Sequence, residues 1–183
     1  MNREWEVLIV LLVCLSEYEG PAGKQASLAV RRLLEAAVRQ YWGIPLPEIA
    51  REGSGKPFFP SHPGMHFSLS HTKGYVLCAV SDRPVGADIQ VIRPVSEALI
   101  RRVCTPAELG YFGFFDLWTL KESYIKLFGH LKGNLTDIEF SVKNGIITAP
   151  SEDVYSRVYT PKDGWRAAVC SLGDRSLPEL SMV

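Results

Sequence analysis

The sequence lacks an excess of charge, closely spaced cysteines and any apolar run long enough to cross a bilayer. Its 183 residues include 20 lysines and arginines and 20 aspartates and glutamates, so the formal net charge is zero. Because a strongly basic protein is typical of nucleic-acid binding, we expect no nucleic-acid partner. No CxxC pair occurs among the cysteines, which argues against zinc and redox motifs. They are Cys14, Cys78, Cys104 and Cys170.

The apolar segment at residues 7–15 reads VLIVLLVCL and resembles neither a membrane span nor a signal peptide. It is too short to cross a bilayer. Glu4 and Glu6 precede it, and no small-x-small cleavage site follows it. We therefore predict a buried first strand in a cytoplasmic protein without a membrane partner.

Composition and periodicity favour a globular α+β fold. Apolar residues make up 46% of the chain and charged residues 22%, which is globular composition. Period-3.6 patterns predict helices at residues 27–42, 96–103 and 114–128, and residues 45–64 read as an ordered loop. Strands are predicted at residues 65–69, 75–80, 85–91, 137–142, 146–148, 154–159 and 165–171. Both halves of the chain combine a strand, a helix and later strands, with a boundary close to residues 82–85.

Residues 85–91 alternate between apolar and other residues and place two polar side chains on one face. A strand period of two puts Asp88 and Gln90 on the face opposite Val85 and Ile89. Mg²⁺ prefers oxygen ligands and commonly uses one or two carboxylates. Asp88 and the helical Glu122 could supply them if the strand and the helix face one another.

Both carboxylates also have purely structural interpretations. Asp88 could be a cap or a buried acid with a structural hydrogen-bond partner. Glu122 could form an exposed ion pair with Lys126, since residues four apart share a helix face. Taken residue by residue, these alternatives are open.

Five segments in order carry a resemblance to a known family. They read GKP (55–57), FSLSH (67–71), VGADIQ (85–90), LWTLKESYIK (117–126) and GWRAAV (164–169). This order resembles the Sfp-type 4′-phosphopantetheinyl transferases over residues 55–170. The resemblance implies an α+β fold of two similar halves, residues 1–84 and 85–183, related by a pseudo-twofold axis with the active site in the cleft between them.

The same resemblance implies an activity and its partners. Enzymes of this type move the phosphopantetheine arm of coenzyme A to a serine of an acyl or peptidyl carrier protein. They require Mg²⁺ and release adenosine 3′,5′-bisphosphate. We therefore expect coenzyme A as co-substrate, a carrier protein as partner and a monomeric enzyme.

The resemblance also assigns catalytic and metal-binding residues. Asp88 and Glu122 match Mg²⁺ ligands, and Glu122 is the expected acceptor of the serine proton. Lys126 is expected to hold a phosphate of coenzyme A. Gln90 stands where the family usually has Glu. Its amide oxygen can serve as a metal ligand, but the lower charge of the site should weaken metal binding.

Five further positions match or approximate coenzyme A contacts in the family. Lys56 and Pro57 belong to the GKP segment, and Ser70 and His71 belong to FSLSH. Arg31 corresponds loosely to a basic residue of the early helix. For Lys56, His71 and Arg31 the alternative is an ordinary exposed side chain, and Ser70 could merely shape a turn.

Two other functions stay open, a homologue that binds coenzyme A or a carrier without turnover and a Mg²⁺-dependent phosphoester hydrolase. The first would follow from the change at Gln90, and the second would release adenosine bisphosphate without a carrier. Because carrier proteins are acidic, Arg93, Arg101 and Arg102 are candidate docking contacts, with ordinary surface charge as the alternative.

Overall fold

A computed structural model describes residues 11–19, 23–130, 133–173 and 175–183. Helices and strands are interspersed along the chain. In order they are β1 (Leu11–Glu17), α1 (Lys24–Trp42), β2 (Ala50–Arg51), β3 (Pro57–Phe58), β4 (His66–Thr72), β5 (Tyr75–Ser81), β6 (Val85–Val91), α2 (Glu97–Val103), α3 (Pro106–Leu109), α4 (Phe114–Phe128), a 3₁₀ turn (Leu135–Asp137), β7 (Ser141–Lys143), β8 (Ile146–Thr148), β9 (Val154–Tyr159), β10 (Trp165–Leu172) and β11 (Ser181–Met182).

Two sheets form the body of the molecule. The first has the strand order β11-β1-β5-β4, and the second has the order β6-β10-β9. Neighbouring strands are antiparallel except β11, which runs parallel to β1. The predicted mixed α+β class is confirmed. However, the first sheet takes one edge strand from the C-terminal end of the chain, which no sequence pattern predicted.

The two sheets face each other across a shared core, and each carries a helix on its outer face. Val13 and Leu77 of the first sheet pack in one cluster with Ala87 and Val169 of the second. Alternate strand residues point the other way, so α1 covers the first sheet and α4 covers the second. The layers therefore follow the order helix, sheet, sheet, helix.

Strand β6 has the predicted alternation. Val85, Ala87 and Ile89 are fully buried in the core between the sheets. Asp88 consequently lies on the opposite face, toward α4, and is only 2% exposed. This confirms the predicted strand and brings a carboxylate close to the helix that carries Glu122.

Helix α4 begins and ends where the sequence predicted. Leu117 and Leu120 form part of its buried face. Gly129 follows the helix with φ 78°, a left-handed conformation that glycine adopts without steric cost. Before it, Thr105 and Glu108 form a capping box at the start of α3.

The predicted strand at residues 137–142 is wrong for its first part, because a 3₁₀ turn occupies residues 135–137 and β7 begins only at Ser141. Asp137 accepts a hydrogen bond from the Asn134 amide at 2.7 Å and donates its own amide to the Asn134 carbonyl at 3.0 Å. Such local bonds compete with a strand ladder.

Two other predicted segments match the described structure only in part. The predicted loop at 45–64 contains the short pair β2–β3, and residues 7–10 of the predicted first strand lie outside the described residues. In the part of the chain that the structure describes, no helix is long and apolar enough to span a membrane.

Candidate active site

Asp88 is the centre of a hydrogen-bond network that joins three elements. Its Oδ1 accepts from Ser70 Oγ of β4 at 2.7 Å and from Lys126 Nζ of α4 at 2.7 Å. Its Oδ2 accepts from Gln90 Nε2 at 3.1 Å. The carboxylate is therefore buried and oriented from three sides.

Helix α4 places Glu122 and Lys126 one turn apart, on the side that meets β6. Lys126 directs its ammonium group to Asp88 and to the Leu69 carbonyl oxygen at 3.4 Å. Among the described residues, no ion pair links Glu122 to Lys126. The structural alternative for Glu122, an ordinary intrahelical ion pair, is therefore wrong.

Glu122 lies in an environment that disfavours its charged form. Burial raises the pKa of the Glu122 carboxyl, and the nearby negative charge of Asp88 raises it further, while Lys126 acts in the opposite direction. A carboxylate whose pKa lies closer to neutrality is a better proton acceptor at physiological pH. Asp88 and Glu122 thus have different environments within one site.

Gly86 explains how β6 and α4 come close enough to form this network. A Cβ atom added there would lie 1.9 Å from the Ser123 carbonyl oxygen and 2.5 Å from the Leu127 amide nitrogen. Both contacts are to the backbone of α4, so no side-chain adjustment would relieve them. Only glycine allows this crossing, two residues before Asp88.

A cavity of about 230 Å³ opens beside Lys126. It lies between the GKP segment, β4 and the end of α4. Its lining residues are Ser54, Gly55, Lys56, Pro57, Phe67, Ser68, Leu69, Ile125, Lys126 and Gly129. The predicted residues Lys56, Pro57 and Lys126 are thus brought to one cavity.

Lys56 contacts the end of α4. Its Nζ donates to the Leu127 carbonyl oxygen at 2.6 Å, where the helix leaves its last carbonyls without intrahelical partners. Burial lowers the pKa of the Lys56 ammonium, while Glu52 opposes that shift. Lys56 therefore stabilises the helix terminus at the edge of the same cavity.

Two predicted coenzyme A contacts lie outside the lining of this cavity. Arg31 is exposed on α1, and His71 is exposed in β4 next to Ser70. Neither residue lines the cavity that Lys56 and Lys126 share, as far as the described residues define it.

Comparison with known proteins identifies the family of this chain. A family model described as the 4′-phosphopantetheinyl transferase superfamily matches residues 84–170. The 4′-phosphopantetheinyl transferase HetI of Nostoc sp. is 30% identical over 175 residues, which are 84% of this chain and 73% of HetI. This chain belongs to the 4′-phosphopantetheinyl transferase superfamily.

Bacillus members of the superfamily are also similar to this chain. The 4′-phosphopantetheinyl transferase psf-1 of Bacillus pumilus is 37% identical over 109 residues, 53% of this chain and 47% of psf-1. Sfp of Bacillus subtilis strain 168 is 30% identical over 147 residues, 70% of this chain and 65% of Sfp. The chain thus spans about half to two thirds of the length of these two relatives.

The donor set of this superfamily member fits a hard divalent cation. No cluster of three or more histidine, cysteine or acidic side chains suited to a metal ion occurs in residues 11–19, 23–130, 133–173 and 175–183. Asp88 and Glu122 are two carboxylates, and the Gln90 bond to Asp88 uses the amide nitrogen, not the oxygen. Mg²⁺ commonly binds one or two carboxylates together with water and substrate phosphates, so these residues fit it.

Sequence reasoning missed two contributors to the site of this superfamily member and one buried ion pair that belongs to the core. Ser68 bonds to β6, Gly86 permits the approach of α4, and Lys121 forms a buried ion pair with Glu108 at 2.8 Å. A glycine two residues before the acid of an apolar strand was the available signal for Gly86. Nothing in the spacing indicated the pairing of Lys121 with Glu108, because it joins separate helices.

Proposed function

We propose that this protein is a 4′-phosphopantetheinyl transferase that moves the phosphopantetheine group of coenzyme A to a serine of an acyl or peptidyl carrier protein. Superfamily membership supports the reaction class. The observation that carries the proposal is the convergence of Asp88, Glu122 and Lys126, in which Lys126 is bonded to Asp88 at 2.7 Å and also lines a cavity.

The reaction needs a proton acceptor, because a serine hydroxyl is a poor nucleophile until its proton is removed. Glu122 takes that proton as general base. The serine oxygen bonds to the β-phosphorus of coenzyme A as the bond from that phosphorus to the bridging oxygen breaks. Adenosine 3′,5′-bisphosphate leaves.

In this proposal, Lys126 and the metal ligands stabilise the negative charge on the phosphates of coenzyme A. Asp88, Glu122 and Gln90 would hold Mg²⁺, which would neutralise charge on the pyrophosphate of coenzyme A. Lys126 is 31% exposed on its side chain, so it can turn from Asp88 to a phosphate oxygen. Positioning and charge stabilisation carry most of phosphoryl transfer.

The remaining coenzyme A contacts follow from the resemblance and from access to the cavity. Lys56 and Pro57 line the cavity and are proposed to bind coenzyme A there. His71 and Arg31 are exposed and available to its phosphates. The Ser70 hydroxyl is already engaged as a donor to Asp88.

We also propose that residues 1–84 and 85–183 are two similar halves related by a pseudo-twofold axis, with the site in the cleft between them. Asp88, Glu122 and Lys126 belong to the second half. Ser70 and Lys56 reach the site from the first half. The helix–sheet–sheet–helix layering supports the arrangement, although β11 crosses into the first sheet.

The partner is proposed to be an acidic carrier protein that docks on a monomer. Arg93 and Arg102 are exposed and could contact the acidic carrier, whereas Arg101 already pairs with Glu97 at 3.2 Å. The four cysteines are buried free thiols, as expected in a reducing compartment, and we propose a cytoplasmic location.

The test is intact-mass spectrometry of apo carrier proteins incubated with the enzyme, coenzyme A and Mg²⁺. We expect a mass gain of one phosphopantetheine group that EDTA abolishes. Asp88→Ala and Glu122→Ala should nearly abolish the gain while the proteins stay folded. Wild-type turnover by either variant would contradict the assigned site.

Two other outcomes would point to different functions. Binding of coenzyme A and carrier without any mass gain, across several acyl and peptidyl carriers, would indicate a non-catalytic homologue, with Gln90 as the first residue to examine. Release of adenosine bisphosphate without a carrier would indicate a hydrolase.

A further inference from the structure

The two sheets meet at the active site along two strands that do not share a backbone ladder. β4 is the last strand of the first sheet, and β6 is the first strand of the second. Serine side chains of β4 bridge them. Ser68 Oγ accepts from the Ala87 amide at 2.9 Å, and Ser70 Oγ accepts from the Ile89 amide at 3.3 Å.

These bonds provide acceptors for backbone amides on the edge of β6 that no strand pairs with. Amides of a strand alternate between its two edges, and β10 pairs with the other edge. The Ala87 and Ile89 amides would otherwise be buried donors without partners, which costs free energy. Ser68 and Ser70 are themselves only 5% and 7% exposed, so water does not replace them easily.

Ser70 differs from Ser68 in one respect. Besides accepting from Ile89, its hydroxyl donates to Asp88 Oδ1 at 2.7 Å. A serine hydroxyl has a single proton to donate. In this arrangement that proton is held by Asp88 and is not available to a phosphate of coenzyme A.

We propose that Ser68 and Ser70 are positioning residues that join the two sheets at the active site. Ser68 sets the alignment of β4 with β6. Ser70 sets the same alignment and also fixes the Asp88 carboxylate against Lys126. The consequence for catalysis rests on the proposed transferase function, but the joint between the sheets does not.

The first test measures the joint itself by amide hydrogen exchange in NMR, without any substrate. In the wild-type protein the Ala87 and Ile89 amides should exchange slowly, although they face the free edge of β6. Ser68→Ala should speed exchange at Ala87 by about tenfold, the effect of losing one net hydrogen bond. Ser70→Ala should do the same at Ile89.

Matched controls separate this effect from general loosening. The Gly86 and Asp88 amides face β10, so their exchange should not change. Ser81→Ala removes another buried serine hydroxyl, which accepts only from the nearby Arg83 amide at 3.0 Å among its described bonds. It should leave exchange at Ala87 and Ile89 unchanged.

The second test separates positioning from substrate contact. Ser70→Ala should lower kcat of phosphopantetheine transfer by about tenfold, the effect of one lost hydrogen bond, with KM for coenzyme A unchanged. Ser70→Thr, which keeps a hydroxyl, should restore kcat. A rise in KM for coenzyme A at unchanged kcat would overturn the positioning role of Ser70.

The two tests fail independently. Fast exchange of Ala87 and Ile89 in the wild-type protein would overturn the joint, whether or not the alanine variants fold. Slow exchange in a protein that transfers nothing to any carrier would leave the joint intact and contradict the proposed function alone.

Discussion

Helix α4 carries two lysines five residues apart, and each pairs with a carboxylate in a different setting. Lys121 donates to Glu108 Oε2 at 2.8 Å and to the carbonyl oxygens of Val103 at 2.6 Å and Leu135 at 3.1 Å. Both side chains of this pair are 0% exposed. All three protons of the ammonium group are used, so the pair has no capacity left for a ligand.

Lys126 and Asp88 form the second pair, and the site around them is called the open site because Lys126 reaches solvent. Its partner Asp88 is 3% exposed on its side chain, but Lys126 itself is 31% exposed and lines the cavity. Close by, Glu122 has a raised pKa. A lysine–carboxylate pair is therefore purely structural where burial is complete, and it can contact a ligand where the lysine reaches solvent.

Breaking the fully buried pair of Lys121 and Glu108 should produce the largest loss of stability. Lys121→Met leaves the Glu108 charge buried without its cation and should lower the free energy of unfolding by about 3–5 kcal/mol. Urea denaturation measures it. Lys143→Met, at an exposed lysine of β7, is the control and should have little effect.

Adding Glu108→Gln to Lys121→Met should recover part of that loss. The amide removes the buried charge, while its oxygen still accepts from the Thr105 or the Phe140 amide, both of which bond Glu108. A stability for Lys121→Met equal to that of the wild type would contradict the structural role of the pair.

Separating β6 from α4 tests whether the open site requires the close approach of these two elements. Gly86→Ala places a methyl group against the α4 backbone and should cost about 1–3 kcal/mol or more, with loss of transfer. Gly64→Ala is the control, because nothing lies within 4 Å of a Cβ there. Thermal unfolding together with the transfer assay measures both effects, and a variant with normal activity would show that the close approach is not needed.

Gln90→Glu adds to the open site the negative charge that the family usually has at this position. Gln90→Glu should tighten Mg²⁺-dependent coenzyme A binding about fivefold or more, since a unit charge about 4 Å away contributes ~1 kcal/mol even in water. Without metal the same variant should be less stable, because a donor to Asp88 becomes a second carboxylate. Calorimetry with and without Mg²⁺ measures this, and an unchanged metal dependence would place Gln90 outside the metal shell.

The smallest effect concerns the pKa of Glu122 in the metal-free protein. Burial and Asp88 raise it, and Lys126 lowers it. Asp88→Asn should therefore lower the pKa of Glu122, and Lys126→Met should raise it. Carbon NMR titration in EDTA reports both, with Glu122→Gln to assign the signal. A pKa that fails to move in these directions would contradict the described environment.

Local pattern predicted much of this molecule. The alternation of β6 placed Asp88 opposite the core, and the apolar spacing of α4 placed Glu122 and Lys126 on one side. The capping box of Thr105 and Glu108 is likewise local, because its bonds span three residues. These features depend on neighbours along the chain.

What the sequence did not reveal depends on contacts between distant segments. Lys126 could have paired with Glu122 by helical spacing, and only the approach of β6 gives it Asp88 instead. The Lys121 pair joins two separate helices, and β11 adds to the first sheet from a distant part of the chain. At Asp137, the first residue of a predicted strand, side-chain bonding favours a 3₁₀ turn instead.

The most direct test of the open site is the single-turnover rate of phosphopantetheine transfer by Lys126→Met. If Lys126 stabilises charge on the transferred group, the rate should fall by about 10²–10³-fold, as when one positioned donor to a developing charge is removed. Lys143→Met should transfer at the wild-type rate. A folded Lys126→Met protein that transfers as fast as the wild type would contradict the account.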